Sequence, residues 1–433
     1  MGLRVGGPGW RRGAALPAPA DAVAYGASSE RRSCATVRLG GQGMLRIPVE
    51  SNASRTASAW AEVDLGAVAD NVRALLARLP EGCRLTAVVK SDAYGHGMVP
   101  VARAALQAGA EELVVANVRE GARLRAAGIR APILIAAPIL TEDAPAVVQH
   151  GLVAAVGSYE TARALARSTR RYLPIQIEVD TGMTRHGVTA DSLPQFVRSI
   201  EDLGRLAIAG VFTHFAGLEA AAAPELRGQL RRFLAAVEGV RSLRGVRRHA
   251  CNTLGAIVLP EGALDAVRVG GGLLGFDPLR GTGAVRLRPT MSLKAKVVGL
   301  RSAEVGDHIG YGGAFVCQRP TRIALLPIGY GDGLSRGLWR GAEVLVRGRR
   351  APIVGAISMN QTTVDVTDIP GVVFEEEVVL LGSVAGDVLR PEDLAPADVS
   401  PYEVTTALGP SIQRVYIQPG RQAPERWAQQ RRP

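Results

Sequence analysis

Ala87-Val88-Val89-Lys90-Ser91-Asp92-Ala93-Tyr94-Gly95-His96-Gly97 runs from small and β-branched apolar residues into a lysine and then a polar, glycine-bearing turn. The apolar part has the composition of a buried strand. Beyond the turn, Met98 to Ala108 has helical character. A lysine at the exit of a buried strand is chemically uncommon. Its ammonium is costly to desolvate, so burial lowers its pKa and frees the amine for Schiff-base chemistry. A plainer reading, in which Lys90 ends a strand and its ammonium reaches water, fits the same residues. The rest of the chain must decide between them.

On the N-terminal side, Ala59-Trp60-Ala61-Glu62-Val63-Asp64-Leu65 alternates as a strand does, and Ala67 to Leu79 reads as a helix. On the C-terminal side, short apolar runs recur at Leu113–Val118, Ile133–Ala137, Leu152–Val156, Ile175–Val179, Ile208–Phe212, His249–Asn252 and Val267–Val269. Helical stretches such as Glu120–Ala127, Glu142–Gln149 and Glu160–Arg167 separate several of them. Strands linked by amphipathic helices predict a parallel sheet. About eight such units suit a (β/α)8 barrel of TIM type better than an open sheet. Past Pro289 the texture changes to strands parted by glycine turns, as at Lys294–Leu300, Arg322–Pro327, Ala342–Val346, Gln361–Val366 and Val372–Leu381. That predicts a mainly β second domain. The expected organisation is an N-terminal extension over 1–57, a barrel over 58–288, a β domain over 289–420 and a flexible tail over 421–433.

At 433 residues the chain can bury two cores. No uninterrupted apolar run reaches the roughly 18 residues of a membrane span. The net charge of +11 raises the question of nucleic acid, but aromatics are only 4% and no basic–aromatic platform appears. A phosphate-bearing cofactor and a small carboxylate substrate account for the charge more economically. Cys34, Cys83, Cys251 and Cys317 lie far apart without a CxxC pair. This argues against a zinc site and predicts a reducing, cytoplasmic setting. The first 57 residues are rich in arginine, glycine, proline and alanine and hold no apolar signal segment. They read as a disordered extension, or as sequence ahead of a natural start at Met44.

In a barrel, function gathers where strands end. Those ends supply Lys90, Asp180 with Arg185, His214, Asn252 with Thr253, and Arg268 with Gly270 and Gly271. Each has a plain alternative: His214 a satisfied core histidine, Arg268 a surface cation, Asn252-Thr253 an ordinary turn. Their succession is harder to explain that way. Gly270-Gly271-Gly272-Leu273-Leu274-Gly275 matches GxGxxG in form, but no βαβ unit with an acidic ribose partner surrounds it, so a dinucleotide site is rejected. A glycine turn late in a barrel suits phosphate.

Taken as a phrase, residues 87–97 resemble the cofactor-lysine motif of the alanine racemases, and the later motifs follow in the same order over roughly 58–420. The resemblance implies a barrel with a β-rich second domain, and pyridoxal 5′-phosphate (PLP) on Lys90. It also implies Tyr94, Thr253, Gly270 and Gly271 around the phosphate, with His214 and Asn252 as further cofactor contacts. Arg268 then faces the pyridine nitrogen. A guanidinium does not readily give up a proton, which favours return of the proton to the α-carbon over transamination. Tyr311, in Ile309-Gly310-Tyr311-Gly312-Gly313-Ala314-Phe315, matches the second catalytic base, supplied by the partner subunit of a homodimer. Tyrosine ordinarily titrates near ~10 and serves as a base only beside cations, and a tyrosine in a glycine-rich turn is otherwise a packing residue. Tyr330 and Met359 match second-domain motifs, and Arg185 with Met359 would bind the substrate carboxylate.

Three positions depart from the family. Glu178 stands where a lysine that becomes a carbamate is usual, and as a permanent anion it is expected to pair with Arg185. Asn360 replaces an aspartate, and aligning Ala407-Leu408-Gly409-Pro410 puts Pro410 where some members carry a tyrosine at the entrance. The last two bear on substrate breadth. The expected function is interconversion of L- and D-alanine, with D-alanine going to peptidoglycan. A serine or broad-specificity racemase is the nearest alternative. A non-catalytic PLP-binding protein would lack the β domain with Tyr311 and Met359.

Overall fold

The structure, a computed structural model, describes residues 57–217, 220–279, 282, 284–384, 386–394 and 400–417. Of the earlier residues only the strands Ala35–Val37 and Leu45–Ile47 are described, and they pair antiparallel. The remainder of the expected extension 1–57 and the tail 421–433 lie outside the described residues.

Eight parallel strands close into a barrel: β1 (Arg84–Val88), β2 (Glu112–Val115), β3 (Ile133–Ile135), β4 (Val153–Val156), β5 (Leu173–Asp180), β6 (Leu206–Phe212), β7 (Arg247–His249) and β8 (Ala266–Val269). Each pairs with the next, and β8 pairs back with β1, so no edge is left open. Most of the strands are short and apolar because both faces are covered, β7 with Arg247-Arg248-His249 being the exception. In β2 and β3 every residue is buried. The helices turn one stripe inward: Tyr159–Ser168 starts at the Ser158 cap and buries Ala162, Leu165 and Ala166. Because all eight strands run the same way, their C-terminal ends open on one mouth.

The strand Ala59–Asp64, at the front of the expected 58–288 span, does not join the barrel. It pairs antiparallel with Met291–Lys296 and parallel with Gln413–Ile417, inside the sheet of the second domain. Lys294 ties three strands of that sheet together, 3.0 Å from Glu62 and 3.1 Å from Glu377. The single strand expected at Lys294–Leu300 is two, Met291–Lys296 and Gly299–Ala303, in different sheets. Between them the chain changes partners, Val297 N–H donating to Glu376 and Val298 N–H to Leu325. Gly299–Ala303, Thr321–Leu326 and Thr362–Asp365 form the smaller sheet. No helix among the described residues is long and apolar enough to cross a membrane.

Candidate active site

Lys90 stands at the exit of β1 and opens a turn of unusual handedness. Ser91, Asp92, Ala93 and Tyr94 have φ of 52, 53, 52 and 53°, four successive non-glycine residues in the left-handed region. Such residues cost roughly 1–2 kcal/mol each, so the turn exists only because its surroundings over-determine it. Glu120 accepts from Ser91 N–H at 2.7 Å and from Ala116 N–H at 2.8 Å. Asp92 accepts from Met98 N–H at 3.0 Å, starting the next helix, and from Arg123 at 2.9 Å. From the second domain, Arg414 donates to the carbonyl of Gly95 at 2.9 Å. Gly95 and Gly97 allow this approach: a Cβ would lie 2.0 Å from the Thr405 carbonyl oxygen at the first and 1.9 Å from the Tyr416 hydroxyl at the second. The Lys90 ammonium is held below the usual lysine range by desolvation and by Arg185, against a smaller opposing pull from Glu120.

Next to the lysine turn, the Gly270–Gly271 turn follows β8, the strand paired with β1. A Cβ on Gly270 would lie 2.4 Å from the Tyr94 hydroxyl, and one on Gly271 would lie 2.7 Å from the Tyr402 hydroxyl. Two phenols therefore converge on a backbone stripped of side chains. Burial raises the pKa of both tyrosines, so they remain O–H donors. Thr253 Oγ1 accepts from Gly272 N–H at 3.3 Å and joins the same cradle. Two phenol hydroxyls, a threonine hydroxyl and a glycine turn gathered at one place form a set that fits a phosphate. Asn252 is engaged elsewhere, its side chain capping the following turn through Gly255 N–H at 3.0 Å. Tyr402 escaped the sequence reading. It packs on Tyr94 (ring centroids 5.6 Å apart) and Phe276 (4.8 Å), whereas Pro410 is exposed.

Arg268 is 4% exposed and far from free. Its guanidinium donates to the carbonyls of Thr213 (2.8 Å) and Ala250 (3.1 Å) and lies 2.7 Å from His249 Nδ1 and 3.4 Å from His214 Nδ1. Burial lowers its pKa to about 10, which leaves it cationic at neutral pH. A guanidinium only donates, so His249 Nδ1 must accept. The proton of His249 then sits on Nε2, 2.7 Å from Gln176 Oε1. Gln176 donates in turn toward Glu112, which also takes Arg247 at 3.0 Å and Thr86 at 3.3 Å. This polar chain runs down the barrel interior. Desolvation and then Arg268 keep both histidines neutral, with His214 pushed down to about 3.

The expected Glu178–Arg185 pair is not formed. Glu178, 5% exposed near the end of β5, lies 2.7 Å from His186 Nδ1 through its Oε2. Arg185 is exposed, and its charge reaches Lys90 and His214, whose pKa values it lowers. The reason is directional: of two successive loop residues, the one turned back toward the strand meets the strand's carboxylate.

Tyr311, Tyr330 and Met359 lie on the second domain, exposed by 74%, 42% and 56%. Two backbone bonds, Tyr330 N–H to Ser358 at 3.1 Å and Gly331 N–H to Met359 at 2.7 Å, hold the latter two loops together. The Tyr311 loop abuts Gly355–Ala356 just upstream: a Cβ on Gly310 would meet Ala356 N at 2.9 Å. Among the described residues, no hydrogen bond, ion pair or ring contact joins these three side chains to the mouth around Lys90.

Comparison with known proteins agrees with this geometry. The profile of the alanine racemase N-terminal domain matches residues 63–278, and that of the alanine racemase C-terminal domain matches 290–416. The alanine racemase of Symbiobacterium thermophilum is 40% identical over 365 residues, covering 82% of this chain and 96% of that protein. That of Syntrophobacter fumaroxidans is 38% identical, covering 82% and 96%. Among solved structures, alanine racemase from Clostridium difficile superposes with a TM-score of 0.80 at 29% identity, covering 85% of this chain and 98% of the other. The enzyme from Bacillus anthracis with bound L-Ala-P gives 0.78 at 31%, covering 85% and 97%. The one from Bartonella henselae with covalently bound pyridoxal phosphate gives 0.75 at 28%, covering 83% and 100%. A barrel with its lysine, glycine cradle and buried arginine at one mouth, matched along both domains, makes this chain an amino-acid racemase that belongs to the alanine racemase family.

Proposed function

We propose that the chain interconverts L- and D-alanine with PLP carried on Lys90, using one base on each face of the substrate. What supports this above all is the convergence of Lys90, the two-tyrosine glycine cradle and Arg268 on one barrel mouth. Tyr94, Tyr402, Thr253 and the Gly270–Gly271 backbone would hold the phosphate. Bound there, the cofactor would supply an electron sink that acidifies the substrate's α-C–H. Arg268, cationic and fixed by carbonyls, would face the ring nitrogen as a donor that keeps its own proton.

The lowered pKa of Lys90 leaves more of its Nζ unprotonated at neutral pH, so Nζ can take or return a proton on one face. Tyr311 Oη would serve the other face. In the L-to-D direction Tyr311 removes the α-proton and Lys90 delivers one, and the reverse direction exchanges the two. Tyr311 and Met359, both exposed on the second domain, would complete the site of a second copy, giving a homodimer with shared sites. Arg185 and Met359 would bind the substrate carboxylate, and Tyr330 would support Met359. We also place the enzyme in the cytoplasm as a source of D-alanine for peptidoglycan. That fits a chain whose described cysteines, Cys83, Cys251 and Cys317, are all unpaired.

The test is racemisation of L-alanine by the purified protein with added PLP, together with Lys90→Ala and Tyr311→Phe. Each variant should be inactive alone and recover part of the activity when subunits exchange, since one site of the heterodimer has both bases. Failure of the parent to racemise alanine would overturn the activity. Confirmed exchange without recovery would overturn the shared site.

A further inference from the structure

The segment carrying Arg185 leaves β5 and returns beside it as the short strand Val188–Thr189. Its first half is fixed several times over. Arg232 donates to the Thr181 carbonyl at 2.7 and 2.9 Å, and Thr181 Oγ1 lies 2.7 Å from Thr213 Oγ1. Asp180 accepts from the N–H groups of Gly182 and Thr184, both at 3.0 Å. After Thr184, itself left-handed at φ 52°, one side-chain anchor follows: His186 on Glu178 at 2.7 Å. The imidazole fits because residue 157 lacks a side chain. A Cβ there would lie 2.9 Å from both His186 Nε2 and the Gly187 Cα. Arg185 has no hydrogen bond or ion pair of its own among the described residues, so backbone position alone aims it.

We propose that His186 is the positioning residue that holds Arg185 over the mouth, and that Glu178 acts through His186. This rests on the reading of Arg185 as the arginine that binds the substrate carboxylate. A carboxylate acceptor requires a proton on His186 Nδ1, and the resulting bond fixes the loop one residue beyond the arginine. A buried anion is thereby spent on holding the backbone, and the guanidinium stays free for the incoming substrate.

His186→Leu in the PLP-loaded enzyme should raise KM for L-alanine about tenfold or more, the loss expected for a misplaced charge-assisted contact. kcat should change far less, as when ground-state and transition-state binding are lost together. His186→Asn, whose amide nitrogen can replace Nδ1, should recover most of the affinity. Glu178→Leu should copy His186→Leu, and the double variant should be no worse than either single one. Amide hydrogen exchange over residues 181–187 should rise in His186→Leu and return to parental in His186→Asn. If His186→Leu does not fold, Gly157→Ala displaces the same imidazole and should raise both KM and exchange. Parental KM and exchange in these variants, with KM raised in Arg185→Ala, would overturn the positioning role. Parental KM in Arg185→Ala would overturn the carboxylate reading and this proposal with it.

Discussion

Gly270→Ala perturbs the cofactor cradle by one methyl group. Its Cβ would lie 2.4 Å from the Tyr94 hydroxyl, whereas non-bonded heavy atoms rest roughly 3.5 Å apart. The hydroxyl must therefore retreat by about 1 Å. It cannot swing aside freely, because its backbone sits in the left-handed turn pinned by Glu120, Asp92 and Arg414, and its ring lies against Tyr402. A retreat of that size would break the hydrogen bond that the proposed cradle offers a phosphate. Bonds to charged groups contribute about 1.5–3 kcal/mol, so the PLP dissociation constant should rise about ten- to 150-fold. The assay is titration of the apo-protein with PLP, followed by the visible absorbance of the bound cofactor. Melting of the apo-protein is recorded alongside, to separate cofactor loss from packing loss. Tyr94→Phe added to Gly270→Ala should cost little more, since both remove the same contact. A dissociation constant within twofold of the parent, at parental melting temperature, would show that the Tyr94 hydroxyl does not serve the phosphate.

Arg268→Gln should destabilise the fold by about 3 kcal/mol or more, because the carbonyls of Thr213 and Ala250 and His249 Nδ1 lose a donor in a buried place; a change under about 1 kcal/mol in denaturant unfolding would refute this. His96 is 1% exposed, and burial pushes its pKa down to about 4. The unfolded chain binds that proton near ~6.5, so between about pH 6.5 and 4 it binds more protons than the folded one, and stability falls as pH falls. His96→Gln should flatten the slope of the unfolding midpoint against pH in that window, and an unchanged slope would mean that His96 does not contribute to it.

The barrel was legible because most of its strands are short apolar runs and several of the candidate residues follow one directly. Lys90, His214, Asn252 and Gly270 could be found by reading where hydrophobicity stops. Pairing between distant segments leaves no such mark. Nothing in the alternation of Ala59–Asp64 says that its neighbours are Met291–Lys296 and Gln413–Ile417. The left-handed run Ser91–Tyr94 was invisible for a different reason: of its four residues only Asp92 is of a type that visits that conformation more often, and four in succession are imposed by tertiary contacts. Tyr402 lay in a short helix opened by the Ser400–Glu403 capping box, a local signal that an alignment fixed on residues 407–410 passed over. The family resemblance put Glu178 with Arg185, and nothing in the sequence tells which of two neighbouring loop residues turns inward.

Lys90, proposed to carry the cofactor, precedes by about three hundred residues part of what braces its turn: Glu120 and Arg123 follow closely, but the remaining supports belong to the second domain. Arg414 reaches Gly95, Thr405 crowds it, and Tyr416 fills the space beside Gly97. During synthesis the ribosome passes Lys90 roughly 20–60 s before Tyr416, at 5–20 residues per second. All eight barrel strands are complete by Val269, yet the lysine turn lacks its second-domain support until the last described strand arrives to lie beside Ala59–Asp64. A chain that stops before Thr405 would therefore carry Lys90 on a turn held by its barrel contacts alone. Presentation of the lysine is thereby coupled to the second domain: the turn has its full bracing only after synthesis has passed Tyr416.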